Sequence, residues 1–185
     1  MKSLLLFAAS VFATAVLAQE VPSGFERVPE SMVKGQTLIR STYTIDAPDG
    51  WIWIHPAKET TSPGKPQPRP RFTVYDPITH AMFSVAEDVK VKNVTEKVMK
   101  LLGDGITHAS EKMGVKVSDY TYIATSVPVP GSYRDTYTAI LSDGVHYVIS
   151  YNTSADMIVS MQLDSRTKDE PVQFTSFVQS FRRRT

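Results

Sequence analysis

The chain has 185 residues, with 20 basic and 19 acidic side chains and no cysteine. That balance excludes a nucleic-acid binder of the basic kind, because counterion release needs a clustered positive surface. The lack of thiols excludes cysteine nucleophiles, thiolate metal sites and disulfide staples, so the fold rests on its core.

Lys2 precedes an apolar run from Leu4 to Leu17 that ends Val16-Leu17-Ala18. This pattern reads as a secretory signal over 1–18, cleaved to leave a mature chain from Gln19 in a secreted or periplasmic setting. The run is shorter than the roughly 20 residues of a spanning helix. No later stretch is long and apolar enough either, so no integral membrane segment is expected after cleavage. The mature chain has the length of one ordinary domain, and 42% hydrophobic with 21% charged residues is a globular composition. Asn93-Val94-Thr95 and Asn152-Thr153-Ser154 match the glycosylation acceptor pattern.

Residues 19–36 have weak periodicity and read as a flexible amino-terminal arm before a single domain over 37–185. Thr37 to Ile45 and Trp51 to Ile54 read as two strands of a hairpin around Asp46-Ala47-Pro48-Asp49-Gly50. The stretch 56–70 carries five prolines with Lys58, Lys65 and Arg69, and reads as a long basic loop. Arg71 to Tyr75 and Ala81 to Glu87 are the next predicted strands. Val94, Val98, Leu101, Leu102, Ile106, Ala109 and Met113 recur at three to four, which predicts a helix over 94–113 capped at Gly114.

Four strands follow, over Tyr120–Val127, Tyr133–Leu141, Val145–Tyr151 and Met157–Leu163, with Ser142-Asp143-Gly144 as a tight hairpin turn. Phe174, Phe177, Val178 and Phe181 form the stripe of a final helix with Pro171 in its first turn. Arg182-Arg183-Arg184 reads as a solvated tail or a favourable charge at that helix's carboxyl end. The order predicts an α+β domain, a largely antiparallel sheet covered by helices.

Tyr43-Thr44-Ile45 leading to Pro48-Asp49-Gly50-Trp51, the predicted central helix, the four-strand meander and the ending Phe177-Val178-Gln179-Ser180-Phe181-Arg182 together resemble the PsbP-like family. Relatives of that family include the Ran-binding Mog-type proteins and the bacterial DcrB-type lipoproteins. The resemblance spans roughly 37–183 and implies an α-β-α sandwich that serves as a non-catalytic binding or assembly module. It transfers no catalytic residue.

The histidines His55, His80, His108 and His146 lack the i, i+4 spacing of a helical metal pair. An alternative zinc or copper site would bring His55 and His80 together across a sheet end. No Gly-x-Ser-x-Gly elbow, phosphate-cradling glycine loop or pairable carboxylates stand out; Ser132, Ser150, Asp135 and Asp164 lie in strand or turn contexts. No catalytic residue and no cofactor is assigned. The aromatic strand is the better clue: Trp51 and Trp53 share one face, as core or as a platform for a partner. The sequence therefore points to an exported binding module contacting a protein partner through Trp51, Trp53, Lys58, Lys65, Arg69 and Arg71. A small-ligand or metal-binding protein and a hydrolase are the alternatives.

Overall fold

The computed structural model describes residues 21–57, 71–87, 116–125, 132–153 and 159–184, together with Asp104 and Pro128. No helix among them is long and apolar enough to cross a membrane. The predicted signal over 1–18, the loop body with Lys58, Lys65 and Arg69, and Asn93 lie outside the described residues. So does the predicted helix over 94–113, apart from Asp104, whose backbone is helical.

The architecture corrects the α+β expectation. The described residues build twelve strands, one short 3₁₀ turn (Glu30–Met32) and one α-helix, α1 (Val172–Gln179), a largely all-β fold rather than an α-β-α sandwich. An eight-stranded sheet has the order β1-β5-β6-β7-β11-β10-β9-β8. Its strands are β1 (Phe25–Arg27), β5 (Ile52–Pro56), β6 (Arg71–Tyr75), β7 (Met82–Glu87), β8 (Lys116–Thr125), β9 (Ser132–Leu141), β10 (Gly144–Thr153) and β11 (Val159–Ser165). All of its pairings are antiparallel. A four-stranded sheet runs β12-β4-β3-β2, from β2 (Val33–Lys34), β3 (Thr37–Ile39), β4 (Tyr43–Asp46) and β12 (Arg182–Arg183).

Residues 21–36, expected as a flexible arm, contribute β1, the 3₁₀ turn and β2. The predicted strand Thr37 to Ile45 is two strands, β3 and β4, which fold on each other with Leu38 opposite Ile45. Its expected hairpin with Trp51–Ile54 does not form: β4 belongs to the small sheet, and β5 pairs with β1 and β6 in the large one.

The small sheet and α1 lie together on one face of the large sheet, and that layer holds the main core. Alternation along each strand decides which side chains enter it. On β10 and β11, Ile149, Tyr151, Met161 and Leu163 point inward and are buried. Phe174, Phe177 and Val178 meet them from α1, at the i, i+3, i+4 spacing of one helical face. Phe83 sits at the centre, with ring centroids 5.1 Å from Phe174 and 5.7 Å from Phe177. Tyr43 of β4 stacks on Phe181 at 5.4 Å.

Two devices fasten the layers. Ser180 Oγ ends α1 by donating to the Phe177 carbonyl at 2.7 Å and accepts the Asp46 N–H at 2.9 Å, which ties the helix to β4. Arg40 pairs with Glu87 of β7, and Tyr43 Oη donates to the same carboxylate at 3.1 Å. The terminal arginines are less of a tail than expected. Arg182–Arg183 form β12, and Arg184 donates its N–H to the Thr42 carbonyl at 2.9 Å. The Arg182 guanidinium also hydrogen-bonds the Gln179 carbonyl, at the carboxyl end of α1.

Candidate binding cleft

Two glycine turns shape an open cleft beside the start of β5. Gly50, at φ +80, closes the Pro48-Asp49-Gly50 turn, where Trp51 donates its N–H to the Pro48 carbonyl at 3.1 Å. Gly35, at φ +61, turns β2 into β3. Between these turns Val28 donates its N–H to the Trp53 carbonyl at 3.0 Å, fixing the β1-to-β2 segment against β5. The resulting cleft holds about 870 Å³ and is lined by Arg27, Glu30, Lys34, Gln36, Trp51 and Trp53, among others. Trp51 is half-buried, its ring 4.6 Å from Phe83. Glu30 and Lys34 are exposed at the rim, one charge of each sign.

Trp51 and Trp53 do share a face, and it is the face that packs on α1. Trp53 is only 5% exposed and lies 6.0 Å from the Phe177 ring. Its indole N–H donates to the Gln36 carbonyl at 2.8 Å, so Trp53 is core and only its margin reaches the cleft. Trp51 is therefore the aromatic residue that a partner can reach. Arg71 stands at the far end: β5 runs from Ile52, opposite Tyr75, toward Pro56, and Arg71 opens β6 beside that end. Pro56 lies five positions after Trp51, about 16 Å along a strand. Trp51 and the chain leading into the proline-rich stretch thus lie at opposite ends of β5.

The histidine pair is separated in the same way. His55 lies at the loop end of β5, with Nε2 3.3 Å from Glu26 and Nδ1 3.1 Å from the Pro56 carbonyl. His80 closes the turn at the other end of β6, at φ +62 and 2.5 Å from Tyr75 Oη. Among the described residues no group of three His, Cys, Asp or Glu side chains is placed to hold a metal.

Among the described residues two polar networks lie elsewhere, and the sequence pattern announces neither. On the sheet face away from α1, Asp135 is buried and accepts hydrogen bonds from Tyr120 Oη at 2.9 Å and Asn152 Nδ2 at 2.8 Å. Ser160 Oγ completes the chain by donating to Asn152 Oδ1 at 2.6 Å. Burial raises the Asp135 carboxyl above the usual carboxylate range, against the lowering effect of its two donors. Burial, then Asp135, raises the Tyr120 phenol. The Asn152 nitrogen that a glycan would need is engaged here, in a residue 6% exposed. Register alone brings these four residues together, and no linear spacing announces it.

His146 makes the other network. Its Nδ1 lies 2.7 Å from Asp164 and its Nε2 2.9 Å from Asp143, and Arg166 Nη2 donates to Asp143 at 2.5 Å. Asp164 first and Asp143 second raise the imidazole above its ordinary value. Asp135 and Asp164 thus serve separate networks and form no facing acid pair. The described histidines bond to carboxylates, a phenol and a backbone carbonyl, and none of these contacts is with a serine.

No family model matches the chain, and no curated protein does.

Proposed function

We propose that the chain is an exported, non-catalytic binding module that grips a segment of a protein partner in the cleft beside Trp51. One observation carries this reading. A half-buried tryptophan, braced from behind by Phe83, forms a wall of an open 870 Å³ cleft whose rim presents Glu30 and Lys34. A rigid aromatic anchor ringed by mixed charge is the usual make-up of a protein hot spot. The partner segment would lay an apolar side chain against Trp51 and pair its own charges with the rim. The cleft's volume also falls within the range of small-molecule pockets, which keeps a small ligand as the second reading.

The test places a photo-crosslinking phenylalanine derivative at Lys34 in the mature chain within its native secretory compartment. The proposal expects one stoichiometric crosslinked protein, lost when Trp51→Ala is added. Crosslinks indifferent to Trp51→Ala sink it. A bound small molecule in native mass spectrometry, released by the same substitution, establishes the second reading instead.

A further inference from the structure

The described residues cover the main-core face of the large sheet only in part. Beyond the start of α1, strands β9 and β10 leave a concavity of about 250 Å³ bordered by Arg134, Thr136, Thr138, Tyr147, Lys168 and Asp119. Alternation puts Arg134, Thr136 and Thr138 on the same side of β9, and pairing puts Tyr147 beside Thr138 on the same side of β10. Lys168 reaches in from the segment before α1, its Nζ 5.5 Å from the Tyr147 ring centroid. From β8, Asp119 enters at a bulge, at φ +55.

Arg134 is held in place more firmly than it is satisfied. Its Nη2 donates to Glu170 at 3.1 Å, and its guanidinium carbon stands 5.7 Å from the Tyr151 ring centroid. Glu170 also accepts from Tyr151 Oη at 3.1 Å and Thr175 Oγ1 at 2.9 Å, so its charge is shared among three donors. Arg134 Nε is buried and has no hydrogen-bond partner among the described residues. Buried side-chain donors mostly find a partner, so this edge of the guanidinium stands apart from the one bound to Glu170.

We infer that this concavity is a second binding site, for a small oxyanion-bearing ligand with a flat or apolar body. Arg134, already paired with Glu170, and Lys168 converge on it from different elements and bring positive charge to it, with Asp119 the one acid on its border among the described residues. A fixed planar guanidinium suits a carboxylate or phosphate, which it can meet edge-on. The Tyr147 ring offers a stacking surface, and the Thr136 and Thr138 hydroxyls can donate or accept beside it. The volume admits a compact molecule. This site rests on residues other than those of the Trp51 cleft and stands whether or not that cleft binds a protein.

Three probes test it on the mature chain by backbone-amide NMR titration: benzoate, inorganic phosphate and the cation benzamidine. Saturable shifts confined to β9, β10 and the segment around Lys168 are expected with at least one anion and not with benzamidine. Benzoate alone marks a carboxylate on a flat body, and phosphate alone or equally marks a phosphate headgroup. Lys168→Gln, an exposed change outside the core, should weaken binding about tenfold. No saturable shift with either anion, equal shifts with benzamidine, or affinity unchanged in Lys168→Gln overturns the inference.

Discussion

Trp53 Nε1 donates to the Gln36 carbonyl at 2.8 Å, and this one bond joins the large sheet to the turn between β2 and β3. The same carbonyl also accepts the Ala47 N–H at 2.9 Å. Removing the indole donor therefore leaves Gln36 with a partner. Trp53→Phe is expected to cost about 1–3 kcal/mol, from the lost hydrogen bond and the space the smaller ring leaves. Trp53→Ala, which empties the space against Phe177, should cost about 3–5 kcal/mol. Urea denaturation of both variants checks the ratio, and equal losses would mean that the bond rather than the packing holds the layers together.

Glu170 is a junction between α1 and the sheet. Arg134, Tyr151 and Thr175 all donate to it, each from a different element, and it directly precedes Pro171 at the helix start. An acid there also favours the helix dipole. Glu170→Ala strands three donors and should destabilise the fold by about 2–3 kcal/mol. Burial, then Glu170, pushes the Tyr151 phenol up to about 12. In Glu170→Gln that phenol should titrate at lower pH, because the acid's charge is gone. Ultraviolet titration of tyrosine reads this directly, and a phenol unmoved in Glu170→Gln counts against the contact.

The strands with two-residue alternation were legible, and so was α1. Arg71 to Tyr75 is β6 to the residue, and Tyr133 to Leu141 differs from β9 by one. The phenylalanine spacing located α1 because three of its residues enter one core. The reversal between Ile39 and Tyr43 was hidden because Arg40-Ser41-Thr42 carries no glycine or proline; an Arg40 N–H bond to the Tyr43 carbonyl at 2.9 Å closes it instead. β1 and β2 span three and two residues, too short for any period to show. β2, with β3, β4 and β12, supplies much of the second layer, where the sequence leads one to expect helices, while β1 joins the edge of the large sheet. The candidate site was half legible. Trp51 and Trp53 stood out by composition, but only the chain's path reveals that Trp53 is core and that Trp51 leaves β5 away from the proline-rich loop.

Asp135 offers a test of the buried network. Asp135→Ala leaves Tyr120 Oη and Asn152 Nδ2 without their acceptor and should cost about 2–3 kcal/mol at neutral pH. Asp135→Asn should cost less, since Asn152 can turn its amide and the hydroxyl of Ser160 can reverse. The carboxyl is raised in the fold, so the folded protein binds this proton more tightly than the unfolded chain does. Its contribution to stability is present at low pH and is lost as pH climbs from about 4 through the raised value. Denaturant midpoints of Asp135→Asn should lack that part of the decline. An unchanged pH profile would show that Asp135 is ionised in the fold at no cost.

His146 gives the opposite end of the pH scale its own test. Both ring nitrogens face carboxylates, Asp164 at 2.7 Å and Asp143 at 2.9 Å, and only the doubly protonated imidazolium can donate to both. Its folded value is raised, so the stabilisation is fully present below the ordinary histidine value of about 6.5 and is lost as pH rises through the folded one. Asp143 is shifted the other way, lowered chiefly by His146 and also by Arg166, so its contribution is present above the ordinary carboxylate range and is lost in strong acid. The network is therefore tightest in a window bounded below by carboxylate protonation and above by loss of the imidazole proton. Because the acids are exposed, raised salt should weaken it. His146→Gln can still donate to one acid but carries no titrating charge. Thermal melts at pH 6 and pH 9 should show a smaller loss between the two for His146→Gln than for the native chain. The NMR titration of the His146 ring should place its midpoint above those of free histidine peptides, and a midpoint at or below them would mean that the two aspartates do not hold the charged form.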